Sequence, residues 1–206
     1  SDSGSDEEEN EGGNASGPSG TVTIASDQPF QTFNNTTASG NTVADALVLE
    51  GMHNGFWDFG GEDGGVIRTE DFGTFEKTSD DPLTVEYHIN DKAVWSDGDS
   101  IDCDDIMLWW TANSGALDGL VYDRPYADWE ANGPGGGNTT MMPAHVVADQ
   151  GGFDSPEAFL DALKAQDADA LKDAATFYNE GWLVDGALPD AALIPSAGPY
   201  KVTGYE

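Results

Sequence analysis

The sequence is poor in the residues that hold metals or form disulfides. Its 206 residues include one cysteine, Cys103, and three histidines. One thiol cannot form a disulfide within the chain, and no neighbouring base would activate it as a nucleophile. His53, His88 and His145 lie too far apart in sequence for a zinc finger or for two zinc ligands on one helix. We therefore expect no zinc site and no cysteine chemistry.

The motifs of common catalytic and cofactor sites are also absent. The sequence contains no G-x-S-x-G, no P-loop and no G-x-G-x-x-G. Asp97-Gly98-Asp99 and Asp102 suggest a calcium loop, but the glycine at position six and the glutamate at position twelve of that loop are missing. Paired carboxylates for glycoside hydrolysis carry no signal among 39 acidic residues, because some will lie close by chance. We expect a protein that is not an enzyme and that uses no metal and no cofactor.

Basic residues are scarce. Seven lysines and arginines face 39 acidic residues, which gives a formal net charge of −32. Only six of the acids lie within residues 1–20, so the rest of the chain is acidic as well. Such a surface repels nucleic acids and anionic membranes, and we expect no nucleic-acid partner. It suits solubility or a salty medium; alternatively, it attracts cationic ligands.

No apolar run is long enough for a signal peptide or a membrane span, and the chain does not begin with methionine. Residues 1–20 consist mainly of serine, glycine, acids and asparagine. They cannot bury enough apolar surface to offset the entropy of ordering, which predicts a disordered acidic tether. We expect this stretch of chain to be soluble or already processed.

The most regular part of the chain predicts a strand, a turn and a helix. Residues 83–90 alternate apolar and polar side chains, which is the pattern of a strand with one buried face. Asp97-Gly98 can reverse the chain sharply. Asp102 is placed to cap a helix, with Asp105 three positions on as in a capping box. The apolar residues 106–110 predict that this helix is buried on more than one side.

Weaker patterns predict the other elements. Residues 21–25 read as a short strand and 42–51 as a short helix that ends at glycine. Glycine-rich turns and short aromatic runs in residues 54–82 predict a β-meander. Pro156 follows Ser155 as at a helix start, and the apolar spacing predicts one or two amphipathic helices over 155–179.

Several of these residues resemble one family. Trp95-Ser96-Asp97-Gly98, followed by Asp105-Ile106, resembles the W-S-D-G-x-P-[VI]-T-A-x-D-V element of the family 5 extracellular solute-binding proteins. These are the peptide- and oligopeptide-binding subunits of ABC importers. Three further patches follow in the family's order: residues 27–34, residues 124–129 with 142–145, and residues 197–202.

The resemblance implies an α/β fold of the periplasmic-binding-protein-like type II, here a partial first lobe with mixed β-sheets and flanking helices. Family members are more than twice as long, so we expect a fragment that binds weakly or not at all by itself. Between Asn113 and Tyr122 the chain is shorter than the family, by deletion or by omission from the sequence. The expected divisions are a tether (1–20), a first-lobe strand, loop and helix (21–50), an inserted α+β subdomain (51–190) and a return strand to the first-lobe sheet (191–206), with the second lobe absent.

The resemblance also implies a function. Family members bind peptides or similar small solutes in a cleft and deliver them to an ABC permease. We expect a monomer outside the cell, anchored through a lipidated cysteine upstream of Ser1, or a periplasmic protein. An acidic surface-interaction module without transport is the alternative, and a hydrolase is a weaker third. The residues expected to bind ligand are Phe30, Phe33, Asn34, Ala197, Gly198 and Tyr200.

Two points of this assignment have alternatives. The phenylalanines of the 30–34 loop either touch ligand or pack locally, and Asn34 could instead close a turn. The tryptophans could line an aromatic wall for peptide or sugar, although core packing is favoured for Trp109 and Trp110 inside the apolar helix. The other candidates for that wall are Trp95 and Trp129.

Overall fold

The computed structural model describes residues 23–37, 40, 42–60, 64–114 and 141–204. Within these residues the protein is a mixed α/β structure in which two antiparallel strand pairs are flanked by helices. This architecture agrees with the expected partial lobe of small sheets and flanking helices. None of the described helices combines the length and the apolar character that a membrane span requires.

Three of the five described helices begin at a residue whose side chain caps them. Thr42 caps α1, and Asp102 caps α2 with Asp105 completing a capping box. Ser155 caps α4, whose first turn contains Pro156. The predicted helices at 42–51, after Asp102 and over 155–179 are therefore confirmed. The helices are α1 (Val43–Leu49), α2 (Cys103–Asn113), α3 (Ala144–Gln150), α4 (Pro156–Ala165) and α5 (Lys172–Glu180), followed by a 3-10 turn at Ala191–Leu193.

The strands form two separate antiparallel pairs. β1 (Trp57–Phe59) pairs with β2 (Val66–Arg68), and β3 (Gly73–Asp80) pairs with β4 (Leu83–Ile89). Along β4, Val85, Tyr87 and Ile89 are half-buried while the residues between them are exposed. The predicted alternation is confirmed for these three residues, whereas Leu83, predicted on the same buried face, is 41% exposed at the end of the strand beside the turn.

Two clusters of buried side chains form the interior. The first, here the helical core, contains side chains from all five helices and includes Leu108, Val147 and Leu163. The second, here the strand core, lies under the strand pairs and the turn that follows them. Its buried members are Phe56, Phe72, Trp95, Ile101 and Met141.

Two expected strands do not form among the described residues. Thr23 to Ala25 pair with no strand, and Ile24 is 82% exposed; residues 21 and 22 lie outside the described part. In residues 191–204 the chain forms the 3-10 turn and then a loop. The physical reason is pairing: a strand needs a second backbone alongside, and the loop at 197–200 hydrogen-bonds to the end of α1 instead.

Some of the other residues singled out from the sequence lie in the interior, and others lie outside the described residues. Trp95 is fully buried in the strand core, so its suggested place in an exposed aromatic wall is wrong. Trp109 is buried and Trp110 half-buried, as expected for core packing. The tether of residues 1–20, Trp129 and the patch at 124–129 lie outside the described residues. The proposed domain divisions stay a prediction.

Candidate functional site

The predicted ligand loop at residues 30–34 is held at the start of α1 by Asp45. This aspartate is fully buried, and its Oδ1 accepts hydrogen bonds from the backbone N–H of Gln31 at 2.6 Å and of Thr32 at 3.4 Å. Its Oδ2 accepts a bond from the Thr42 hydroxyl at 2.8 Å. One carboxylate thus starts the helix and fixes a loop that lies more than ten positions earlier.

Within that loop, Phe33 and Asn34 face the interior. Phe33 is 2% exposed and lies edge-on to the half-buried Phe30, with ring centroids 4.8 Å apart. Asn34 Nδ2 donates to the backbone oxygen of Tyr178 at 2.8 Å, and Asn34 Oδ1 accepts from the backbone N–H of Thr36 at 3.1 Å. The amide of Asn34 therefore ties this loop to α5 and also closes a turn.

The second predicted ligand loop, at residues 196–200, is fixed at the other end of α1. The backbone oxygen of Met52 accepts from the N–H of Ala197 at 2.9 Å, from the N–H of Gly198 at 2.8 Å and from the Ser196 hydroxyl at 3.0 Å. Ser196 Oγ also accepts from the Gly198 N–H at 3.2 Å. The backbone of Met52 and the Ser196 side chain together hold the loop.

Only glycine fits at position 198. A Cβ there would lie 2.7 Å from the backbone oxygens of both Gly51 and His53, closer than real Cβ contacts. Tyr200 follows, its N–H donating to the Gly51 oxygen at 3.0 Å while its side chain stays 72% exposed. Tyr200 is therefore the most exposed of the six predicted ligand residues.

The W-S-D-G hairpin meets the second loop through two serines. Ser96 N–H donates to the Ser196 backbone oxygen at 2.8 Å, and Ser196 N–H donates to Ser96 Oγ at 2.9 Å. On the other side of the hairpin, His145 Nε2 lies 2.9 Å from Asp97 Oδ2. Gly98 has a φ of +100°, which confirms the predicted turn.

Asp105 joins the same hairpin to α3. Its Oδ1 accepts from the Ala144 N–H at 2.8 Å, and its Oδ2 accepts from the Asp102 N–H at 3.0 Å and from Trp95 Nε1 at 3.4 Å. Burial raises the pKa of the Asp105 carboxyl to about 7, although the two backbone donors and the indole favour its charged form. Three of the four family-like patches therefore meet around Ser96 and Asp105.

An acidic recess opens beside Asp105. It is lined by Asp99, Asp102, Asp104 and His145, with Phe159 also in its wall. Burial and the neighbouring Asp102 raise the pKa of the Asp104 carboxyl. Among the described residues, no group of three or more histidine, cysteine or acidic side chains is arranged so that it could hold a metal ion.

A second, mainly apolar pocket, here the His53 pocket, is lined by His53 and by side chains of both cores. Its cavity volume is about 10 Å³, roughly the space that one water molecule needs. Burial lowers the pKa of His53 to about 4, so the imidazole is neutral near pH 7. The His53 residue as a whole is half-buried, but its Nε2 has no exposed surface and no hydrogen-bond partner within the described part of the chain. Other lining residues include Phe33, Met52, Trp95, Met142, Trp182 and Ile194.

The structure thus divides the predicted ligand residues into two groups at opposite ends of α1. Ala197, Gly198 and Tyr200 share the Gly51–Met52 backbone, while the 30–34 loop is bonded to Asp45. Their contacts with a solute stay predictions. Sequence reasoning missed the positioning roles of Asp45 and Ser196 and the buried position of His53. Only Asp45 has a local signal, because it stands three positions after the capping Thr42.

Comparison with known proteins gives relatives among mycobacterial lipoproteins. No family model matches the chain. The chain is 31% identical over 210 residues to an uncharacterized lipoprotein of Mycobacterium leprae, covering 89% of this chain and 36% of the relative. It is 31% identical over 206 residues to an uncharacterized lipoprotein of Mycobacterium tuberculosis, covering 85% and 36%. The chain therefore spans about a third of the length of these curated relatives.

More distant similarity extends to a binding protein. The chain is 28% identical over 152 residues to the oligopeptide-binding protein OppA of Mycobacterium tuberculosis, covering 62% of this chain and 24% of that protein. A solved periplasmic EDTA-binding protein, EppA, is 23% identical, covers 64% of this chain and 28% of its own, and has a TM-score of 0.47. The similarity to OppA supports the relationship to family 5 solute-binding proteins that the sequence patches indicated.

Proposed function

We propose that this chain is part of the solute-binding component of an ABC importer, and that the whole protein binds peptides or similar small solutes. The observation that carries this proposal is the similarity to OppA over 62% of the chain. The arrangement of the family-like patches supports it, because Ser96, Ser196 and Asp105 bring segments far apart in sequence into contact.

The proposed mechanism is non-covalent. A solute would lie against the 30–34 and 196–200 loops and be enclosed when a second lobe closes over it. The 196–200 loop is held by backbone hydrogen bonds to Gly51 and Met52, so it offers a preorganised wall. No bond is made or broken, and the proposal assigns neither an enzymatic step nor a cofactor or metal.

The proposed setting follows from the lipoprotein relatives. By analogy with them, the protein would be anchored to a membrane by a lipid and act outside the cell or in the periplasm. Its macromolecular partner would be the ABC permease, and the solute-binding component would act as a monomer. The acidic surface is compatible with this setting, since it discourages binding to anionic membranes and nucleic acid.

Calorimetry on the full-length protein tests this function. We expect saturable binding of short peptides from a mixed panel of three to five residues. Tyr200→Ala should weaken this binding, because Tyr200 is the exposed aromatic of the second ligand loop. Val66→Ala, the loss of another exposed side chain, on β2, should leave the affinity unchanged. If no peptide or other small solute binds the full-length protein, the transport function is wrong.

The alternative function is an acidic surface-interaction module that keeps the fold without transport. The net charge of −32 is the observation that favours it. This alternative predicts binding to cationic polypeptides that weakens steeply with salt, because long-range charge attraction is screened. Solute binding that is insensitive to salt, together with permease and ATPase genes beside this one, would favour the importer.

A further inference from the structure

Helix α1 is apolar on the side that faces away from the core as well as on the side that faces it. Its sequence is VADALVL, and its one polar side chain, Asp45, is fully buried. On the inner side, Leu49 belongs to the helical core. On the outer side, three apolar residues, here the α1 face, are exposed: Val43 by 68%, Leu47 by 62% and Val48 by 40%.

The three exposed residues form one patch. Leu47 lies one helical turn after Val43, where side chains are neighbours on a helix surface, and Val48 follows directly. Single exposed apolar residues are common on protein surfaces, but a helix that is apolar all round is usually buried. The pattern of α1 is therefore that of a helix covered on both sides.

Other described helices show what a solvated face looks like in this chain. The exposed side chains of α4 include two acids and one base, namely Glu157, Asp161 and Lys164. Such a face keeps its charged groups in water and needs no cover. The outer face of α1 has no polar side chain to play that part.

The end of the given sequence lies close to the α1 face. Tyr200 is attached to the end of α1, since its N–H donates to the Gly51 oxygen at 3.0 Å. The six residues from there to Glu206 can span at most about 22 Å. The seven residues of α1 rise by only about 10 Å. Chain that follows Glu206 would therefore begin within reach of the whole α1 face.

The relatives have enough additional chain to form such a cover. The matched region is 36% of the lipoprotein of Mycobacterium leprae and 36% of that of Mycobacterium tuberculosis, so most of each relative has no counterpart here. A second copy of this chain is a poorer cover, because two chains with a formal net charge of −32 repel each other.

We propose that the α1 face is an internal docking surface, covered in the full-length protein by the segment that follows Glu206. An apolar side of that segment packs on Val43, Leu47 and Val48, which turns α1 into a helix buried between two layers. The proposal does not depend on solute binding, and it holds equally if the protein is an interaction module. Solute binding and the cover of α1 can therefore fail separately.

The direct test is hydroxyl-radical footprinting of the unaltered full-length protein without solute, resolved to single residues by mass spectrometry. Three leucines make the comparison independent of side-chain chemistry: Leu49 is 1% exposed, Leu83 is 41% exposed on β4, and Leu47 is the residue in question. We expect Leu47 to be oxidised as slowly as Leu49. If Leu47 is oxidised as fast as Leu83 or faster, nothing covers the α1 face and the proposal is wrong.

Dilution separates this cover from a second copy. A covering segment of the same chain protects Leu47 equally at every protein concentration, so we expect the oxidation of Leu47 to stay at the level of Leu49 in a dilution series. If its oxidation rises to the level of Leu83 on dilution, a second copy covers the face, and the proposed segment does not.

A pair of matched variants tests whether the cover packs on the face. Leu47→Gln should lower the midpoint of urea unfolding of the full-length protein, because the cover would bury an amide group among apolar side chains. Leu83→Gln, the same change at an exposed leucine, should leave the midpoint nearly unchanged. Equal midpoints for the two variants would overturn the proposal. Footprinting of the unaltered protein does not depend on either variant folding.

Discussion

Replacing Ser96 or Ser196 by alanine tests how the W-S-D-G hairpin is attached. Ser196 Oγ has more partners, since it donates to the Met52 oxygen at 3.0 Å and accepts from the Gly198 N–H at 3.2 Å. Ser96 Oγ accepts one bond, from the Ser196 N–H at 2.9 Å. A count of hydrogen bonds would therefore predict that Ser196→Ala is the more damaging change.

The backbone groups that each substitution leaves without a hydrogen-bond partner predict the opposite order of destabilisation. After Ser196→Ala, the Gly198 N–H keeps its 2.8 Å bond to Met52, whose oxygen also keeps the Ala197 donor. The backbone oxygen of Tyr200 loses the Ser196 hydroxyl as a donor, but it belongs to a residue that is 72% exposed, so water can replace the hydroxyl. This loss should cost about 1 kcal/mol, the net value of an ordinary hydrogen bond. After Ser96→Ala, the N–H of Ser196 loses its side-chain acceptor inside a residue that is 2% exposed, which should cost about 1–3 kcal/mol.

Urea unfolding of the full-length protein, followed by tryptophan fluorescence, measures the difference. Ser79→Ala is the matched control, because the Ser79 hydroxyl accepts one bond from the Asp81 N–H in an exposed turn. We expect the control to change the free energy of unfolding by less than about 0.5 kcal/mol. If Ser196→Ala costs clearly more than Ser96→Ala, the reasoning from unpaired groups is refuted.

Four further changes have defined outcomes in the same unfolding assay. Asp105→Ala should lower the free energy of unfolding by about 3–5 kcal/mol, since it removes the acceptor for donors from three segments. If its effect is as small as that of Asp161→Ala on the surface, this reasoning is wrong. The pKa of His53 is about 4 when folded against an ordinary 6.5, so its contribution is present above pH 6.5 and lost as the pH falls toward 4, by up to about 3 kcal/mol. His53→Leu should flatten that part of the pH profile, and an unchanged slope would assign it to other groups. Gly198→Ala should destabilise the protein by 2 kcal/mol or more, on the order of an overpacked core, because the new Cβ meets two backbone oxygens. Ser155→Ala should cost about 1 kcal/mol as a lost helix cap, and restoration by Ser155→Asp would confirm the cause.

Local chemistry made α1, α2, α4 and β4 predictable from the sequence. The capping box of α2 needs only Asp102 and Asp105, and the start of α4 needs only Ser155 and the proline after it. The alternation of β4 is also readable within one short segment. The strands expected at 21–25 and near 200 depended on a partner backbone elsewhere in the chain, which no local pattern specifies.

The candidate site was less predictable because long-range contacts build it. Ser196 is one of many serines in the sequence, and its importance comes from Ser96, 100 positions earlier, and Met52, 144 positions earlier. Asp105 was predicted as the second residue of a capping box with Asp102, but its bond to Ala144 spans 39 positions. His53 gave no metal pattern, and nothing near it in sequence indicates that its Nε2 is buried without a hydrogen-bond partner in the described part of the chain.

Two buried aspartates show that the acidic residues of this chain fall into two groups, one that stabilises the fold and one that sets the surface charge. Asp45 and Asp105 each stand three positions after a helix cap, and each uses its carboxylate to bind backbone N–H groups of a distant segment. In a chain with seven basic residues, backbone donors replace the lysine and arginine partners that buried acids often have. These two acids therefore serve the fold, whereas exposed acids such as Asp161 are available to set the surface charge. Under the interaction-module alternative, neutralising exposed acids should therefore change salt-dependent association. Neutralising Asp45 or Asp105 should instead release the 30–34 loop or the W-S-D-G hairpin, on which solute binding would depend.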